Sequence, residues 1–146
     1  MLRFLSFILV VLLPLTAVAQ DGQPEPELVL DVRPAMDVTL DEFMWLNRLI
    51  VVFADTELDP KFREQMELLA EEPAELAERD VVIITDTDPR GLSDIRKTLR
   101  PRGFGFVFID KDGVIKLRKP APWHVREIIR SIDKTELRRQ EIRQQR

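Results

Sequence analysis

The chain of 146 residues contains no cysteine, and that absence removes a branch of chemistry. Thiol–disulfide exchange and thiol-based peroxide reduction both need a thiolate, so neither is open to it. Disulfides are excluded as well, and the fold must rest on burial, which a chain of this length can supply. Histidine occurs once, at His124, and serine only at Ser6, Ser93 and Ser131. No Gly-x-Ser-x-Gly elbow presents a nucleophile, so a hydrolytic triad has nothing to assemble around. His124 is expected in the first turn of the last helix, partly exposed beside Trp123, rather than as a general acid or base. The stretch Asp110-Lys111-Asp112-Gly113 opens like a calcium loop. Ile115 and Ala121 then stand where such a loop needs ligands, so a hairpin turn is the expectation. No motif for a cofactor is present.

The N-terminus carries an address. Arg3 precedes an almost wholly apolar run from Leu5 to Leu15, and Ala17-Val18-Ala19 supplies a small–x–small site. This pattern predicts an export signal over residues 1–19, cleaved between Ala19 and Gln20. Roughly fifteen apolar residues fall short of the ~20 that cross a bilayer, so no stable membrane span is expected after cleavage. No cysteine follows to take a lipid. The expected location is periplasmic or extracellular.

Charge is divided along the chain. Residues 111–146 hold 11 basic and five acidic side chains, whereas residues 20–110 hold 10 and 21. Such asymmetry suits an anionic partner at one end, or simply two solvated regions. An acidic exported protein is a poor binder of nucleic acid, which is excluded as a partner.

Periodicity divides the rest. Residues 20–36, beginning "QDGQPEPE", lack apolar spacing and read as a flexible lead-in, with "LVLDVRP" as an extended segment at its end. Thr39 and Glu42 fit a capping box before a short helix over 40–46. Residues 49–54 form a first strand. Asp59 and Pro60 then cap and open a helix to about residue 70, with Phe62, Met66 and Leu69 on one stripe. "VVIIT" (81–85) suits an interior strand buried on both faces. Ser93 caps a short helix carrying Leu92, Ile95 and Leu99. Residues 104–109 and 114–118 form a hairpin, and Val125, Ile128, Ile129 and Ile132 share a face of a last helix over 122–132. The order strand–helix–strand–helix–strand–strand–helix predicts an α/β domain over 37–133. Its expected architecture is a thioredoxin-like, four-stranded mixed sheet flanked by helices. Residues 134–146 are expected to be a charged tail, possible as a solvated helix.

Four segments carry a family likeness: "WLNRLIVVFA" (45–54), "ERDVVIIT" (78–85), "FIDKDGVIKLR" (108–118) and "SIDKTELRRQEIR" (131–143). Together they resemble the DUF4174 family, a thioredoxin- or peroxiredoxin-like domain of secreted bacterial proteins. The family is also related to segments of vertebrate extracellular sushi-repeat proteins. The resemblance implies a fold and a secretory setting, and it brings no catalytic residues with it. Members often carry Met-Pro-Met where this chain has Thr135-Glu136-Leu137. In working thioredoxins two cysteines occupy the turn that here runs from Asp55 to Lys61. A cis-proline precedes their third strand, where this chain reads Arg102-Gly103-Phe104.

Two functional expectations follow. The first is a non-catalytic binding module for a protein or envelope component, with Lys116, Arg118, Arg138 and Arg139 as candidate partner-binding residues. Lys116 and Arg118 alternate with Ile115 and Leu117, which makes one strand face cationic and also blunts a sheet edge. The second is a metal- or anion-dependent enzyme or small-ligand binder. Asp55, Asp59, Asp86 and Asp88 fall at the carboxyl ends of the parallel strands, where ligands of open α/β sheets bind and where oxygen ligands could hold a hard cation. Capping by Asp59 and turn formation by Asp86 and Asp88 explain the same residues without a ligand.

Overall fold

The computed structural model describes residues 29–146. The expected signal, its Ala19–Gln20 cleavage site and the first part of the lead-in lie outside the described residues.

The sheet is built outward from β2 (Arg48–Phe53), whose six residues are all buried. It pairs in parallel with β3 (Val81–Asp86), with Leu49 opposite Val82 and Val51 opposite Ile84. On its other side β4 (Gly105–Ile109) runs antiparallel, with Val51 opposite Val107. β5 (Ile115–Lys119) closes the hairpin beside β4, with an irregularity at Phe108/Ile109. Gly113, at φ 75, makes the turn; a Cβ there would lie 3.0 Å from the Met44 Sδ and Cε atoms, so both conformation and space call for glycine.

A fifth strand corrects the expected four. β1 (Val32–Pro34) lies parallel to β3 with Val32 opposite Ile83, giving the order β1-β3-β2-β4-β5. Residues 32–34 therefore belong to the sheet rather than to a flexible lead-in. The sequence marks them as extended but gives no sign of pairing, because an edge strand of three exposed residues needs no apolar alternation.

Successive side chains of a strand point to opposite faces, and both faces here are covered. Leu49, Val51 and Phe53 join Val82, Ile84, Val107 and Ile109 on one side. There they meet Phe43 of a single 3-10 turn (Leu40–Phe43) and Ile95 and Leu99 of α3 (Asp94–Leu99). Ile50, Val52 and Ile83 join Phe106 and Phe108 on the other. They are covered by Leu69 of α1 (Pro60–Leu69), Leu76 of α2 (Pro73–Glu78) and Val125, Ile128 and Ile132 of α4 (Val125–Asp133). Each such side chain contributes about 1.5–3 kcal/mol on burial, so a charge at Val51, which is fully buried, would break the sheet at its centre.

Local signals set the helix starts. The Asp59 carboxylate accepts from Lys61 N (2.8 Å) and Phe62 N (3.4 Å), with Pro60 at the first helical position. Ser93 Oγ accepts from Arg96 N at 3.0 Å. Glu42 reaches back to Thr39, accepting from its N and Oγ1 at 2.9 Å each. α4 begins three residues later than its apolar spacing suggests, because His124 is its N-cap and accepts from Arg126 N at 3.4 Å. The charged residues after 134 form α5 (Glu136–Gln144), which packs on the body rather than trailing in solvent.

Candidate functional site

The carboxyl ends of β2 and β3 are where this topology presents ligands or reactive groups. An arginine closes them. Arg96, from α3, directs Nε (3.0 Å) and Nη2 (2.8 Å) at Asp86 Oδ1. The same Nη2 donates to Ala54 O and Asp86 O, both at 3.0 Å, tying together the last turns of the two strands. Ser93 Oγ donates to Asp86 Oδ2 at 2.6 Å, and the guanidinium lies 5.4 Å from the Phe53 ring centre. Arg96 and Asp86 are both buried. Burial alone would raise the Asp86 carboxyl, but the Arg96 and Ser93 hydrogen bonds outweigh it and hold the group below the usual carboxylate range.

This clasp corrects the expected carboxylate site. Asp86 has both oxygens committed internally, and Asp59 spends its carboxylate on the α1 cap. Asp88 turns its own loop, accepting from Arg90 N at 3.0 Å, while Asp55 is exposed at the strand end. Among the described residues no three His, Cys, Asp or Glu side chains come together as metal ligands. Four aspartates that share an end of the sheet in sequence are thus divided by their capping and pairing partners.

The opposite end of β2 carries a second network. Arg48, fully buried, lies 3.0 Å through Nε from Asp110 Oδ1 and donates to Arg79 O at 3.0 Å. Its Nη1 and Nη2 reach Glu141 of α5 at 3.2 and 3.1 Å. Lys111 Nζ contacts Asp80 (2.7 Å) and Glu141 (2.9 Å). Arg79 holds Asp133 and Glu75, each at 2.8 Å. Burial would raise Glu141, but Arg48 and Lys111 dominate and bring it down to about 2.

The expected basic surface divides in consequence. Arg138 is buried within this network, bonded to Glu78 at 3.0 Å and Glu141 at 3.4 Å, so it is a clamp for α5 and not a partner-binding side chain. Arg139 is exposed. Lys116 pairs with Asp112 at 3.3 Å, and Arg118 Nη1 donates to Leu99 O at 2.9 Å while its residue stays exposed. His124 is half-exposed, with Nε2 3.7 Å from Glu71.

Three features escaped the sequence reading. Arg48, Asp110 and Glu141 belong to segments remote in sequence, and a lone arginine before an apolar run gives no sign of its partners. Gln65 is fully buried on α1, donating to Trp123 O (3.0 Å) and accepting from Trp123 N (2.8 Å), an exchange that pins the loop before α4. The third is an exposed apolar ridge, Met44-Trp45-Leu46, at 41%, 64% and 64% exposure. Trp45 sits at φ 64, and its N donates to Lys111 O at 2.7 Å. A bulky residue in that region is strained and held by its surroundings. Three consecutive exposed apolar residues were the available signal.

Comparison with known proteins agrees with this fold. The chloroplastic thioredoxin z structure superposes with a TM-score of 0.53 at 22% identity, covering 73% of this chain and 98% of that one. The reduced 2-Cys peroxiredoxin of Plasmodium vivax gives 0.53 at 16% identity, covering 66% and 81%. At such identities the likeness is one of fold alone. No curated protein matches the sequence. The model of the domain of unknown function DUF4174 matches residues 39–141, from the capping threonine to the glutamate that holds Arg48, and the chain belongs to that family.

Proposed function

We propose that the chain is an exported, non-catalytic binding module that engages a protein or envelope component. The observation that carries this reading is the Arg96–Asp86 clasp at the strand ends. Where the fold would offer a reactive group, buried side chains satisfy one another and the strand carbonyls instead. A group that is to react needs a free lone pair or a poised proton, and Asp86 has neither to spare. The absence of cysteine supports the same reading from the side of redox chemistry.

Binding then falls to exposed surface. Arg118 and Arg139 remain on that surface, as does the Met44–Leu46 ridge. The test is sedimentation of the purified, labelled chain with isolated envelope fractions, alongside hydrolysis assays on ester, phosphate and peptide substrates. Saturable association competed by unlabelled chain is expected, with no turnover. Turnover abolished by Asp55→Ala would overturn the reading, as would the absence of any competable association.

A further inference from the structure

The two edges of the sheet differ. β1 offers three residues and ends in Pro34, which has no N–H to donate. β5 runs for five residues with only β4 beside it. Strand alternation fixes which of its backbone groups point off the sheet. Arg48 N and Ala54 N donate to Asp80 O, just before β3, and to Asp86 O at its end. The even-numbered residues of β2 therefore face β3, and Val51 faces β4. Val51 lies opposite Val107, so Phe106 and Phe108 on either side of Val107 face β5. They pair with Lys119 and Leu117, which leaves the N–H and C=O of Arg118 directed outward. Neither group has a backbone partner among the described residues. The irregularity at Phe108/Ile109 and Pro120 bound this regular edge to residues 117–119.

The charge around that open pair is one-sided. Residues 95–109 and 113–126 each hold four Lys or Arg side chains and no acid. Arg118 Nη1 reaches Leu99 O at 2.9 Å, which sets β5 against the end of α3, where Arg100 follows. Lys119 lies opposite Phe106, with its ammonium 5.0 Å from the Trp123 ring centre. Arg102 stands in the short connection from α3 to β4. Arg100, Arg102, Arg118 and Lys119 make no ion pair among the described residues, whereas Asp94 is held by Lys97 and Asp112 by Lys116. Asp41, also without an ion pair, shares a cavity with Asp94 and Thr98. Asp55 and Glu57 follow β2, two strands in and about 10 Å from the edge. A second copy would set these cations against one another, so the edge does not suit self-pairing.

We propose that the β5 edge at Arg118 takes an extended acidic segment of a partner protein as an added strand. The backbone of Arg118 exchanges two hydrogen bonds with that segment, and Arg100, Arg102, Arg118 and Lys119 face its carboxylates. The inference rests on the binding-module reading and names the class of partner.

The experiment uses the processed chain recovered from an export-competent host. Three labelled peptides, capped at both ends, are titrated and read by fluorescence anisotropy: Glu-Val-Glu-Val-Glu-Val, Glu-Pro-Glu-Pro-Glu-Pro and Lys-Val-Lys-Val-Lys-Val. The second keeps the charge of the first but lacks every other N–H, so it cannot pair as a strand. Saturable, salt-sensitive binding of the Glu-Val peptide is expected, with the Glu-Pro peptide about tenfold weaker and no binding of the Lys-Val peptide. Hydrogen exchange at the Arg118 amide should slow when the Glu-Val peptide is bound. Arg102→Glu with Lys119→Glu should weaken that binding about tenfold or more, with a melting temperature within about 4 °C of wild type. Equal binding of the Glu-Val and Glu-Pro peptides, unchanged exchange at Arg118, or undiminished binding by the charge-reversed chain overturns the proposal. Competable association with envelope fractions in the absence of any peptide binding overturns the edge assignment and leaves the binding module standing; absence of both overturns the two together.

Discussion

Removing Arg96 tests whether the emptied end of the fold is held by its clasp. In Arg96→Met the aliphatic stem is roughly preserved, and the guanidinium is lost together with its contact over the Phe53 ring. Asp86 then keeps Ser93 Oγ and the Asp88 N–H, at 2.6 and 3.2 Å, but its charge is left without a counter-ion. Ala54 O loses its side-chain donor, whereas Asp86 O keeps the Ala54 N–H at 3.0 Å. Removing one member of a buried pair costs about 3–5 kcal/mol, and the orphaned carbonyl places this variant toward the upper end. Asp86→Ala leaves Arg96 with both carbonyl acceptors, so its cost should be about 3 kcal/mol and smaller than that of Arg96→Met. Against a typical total of about 5–15 kcal/mol either loss is large. Urea titration read by circular dichroism measures both, with an unchanged slope expected if only stability moves. Because the folded state lowers the Asp86 pKa, its contribution is present above the ordinary carboxylate value and fades as pH falls through the folded one. The gap between wild type and Asp86→Ala should therefore narrow in acid. A loss below about 1 kcal/mol for Arg96→Met, in the range of an exposed pair, would refute the account of the clasp.

Glu141 offers a second titration. With its pKa brought from 4.5 down to about 2, its contribution to stability is fully present above pH 4.5 and is lost as the pH falls toward 2. Glu141→Gln should cost about 2–3 kcal/mol at neutral pH and little at the acid end, measured by denaturant midpoints across that range. Adjacent arginines should differ sharply: Arg138→Glu destabilises by several kcal/mol because it sets a carboxylate beside Glu78 and Glu141, whereas Arg139→Glu stays within about 0.5 kcal/mol. Equal midpoints for the two would refute the assignment of α5 to the body.

Most of the framework is legible in sequence because it follows from short-range rules. The capping residues Asp59 and Ser93, the β-branched run at 81–85 and the turn ending in Gly113 each specify their element with nearby residues. The site was legible only as an address. That Asp86 lies at a strand end can be read from the pattern; that Arg96 neutralises it depends on α3 folding back over Phe53. α5 makes the same point, since its low apolar content describes a solvated tail until Arg48, Lys111 and Glu78 supply the partners for its face. β1 was obscured because an edge strand is recruited by the open side of β3 rather than by its own side chains.

β2 has arginine anchorage at both of its ends, through Arg48 at the start and through Arg96 on Ala54 O beyond its finish. It is also hydrogen-bonded along both edges. Fraying normally begins at strand termini, where amide protons exchange through small local openings. Here such openings require an ion pair to break first, so the amides of β2 should exchange only with the unfolding of the whole chain. The edge strands β1 and β5 can open separately. The molecule thus has a slow interior and a faster rim, and the Trp45 ridge, joined directly to the start of β2, sits on the slow part.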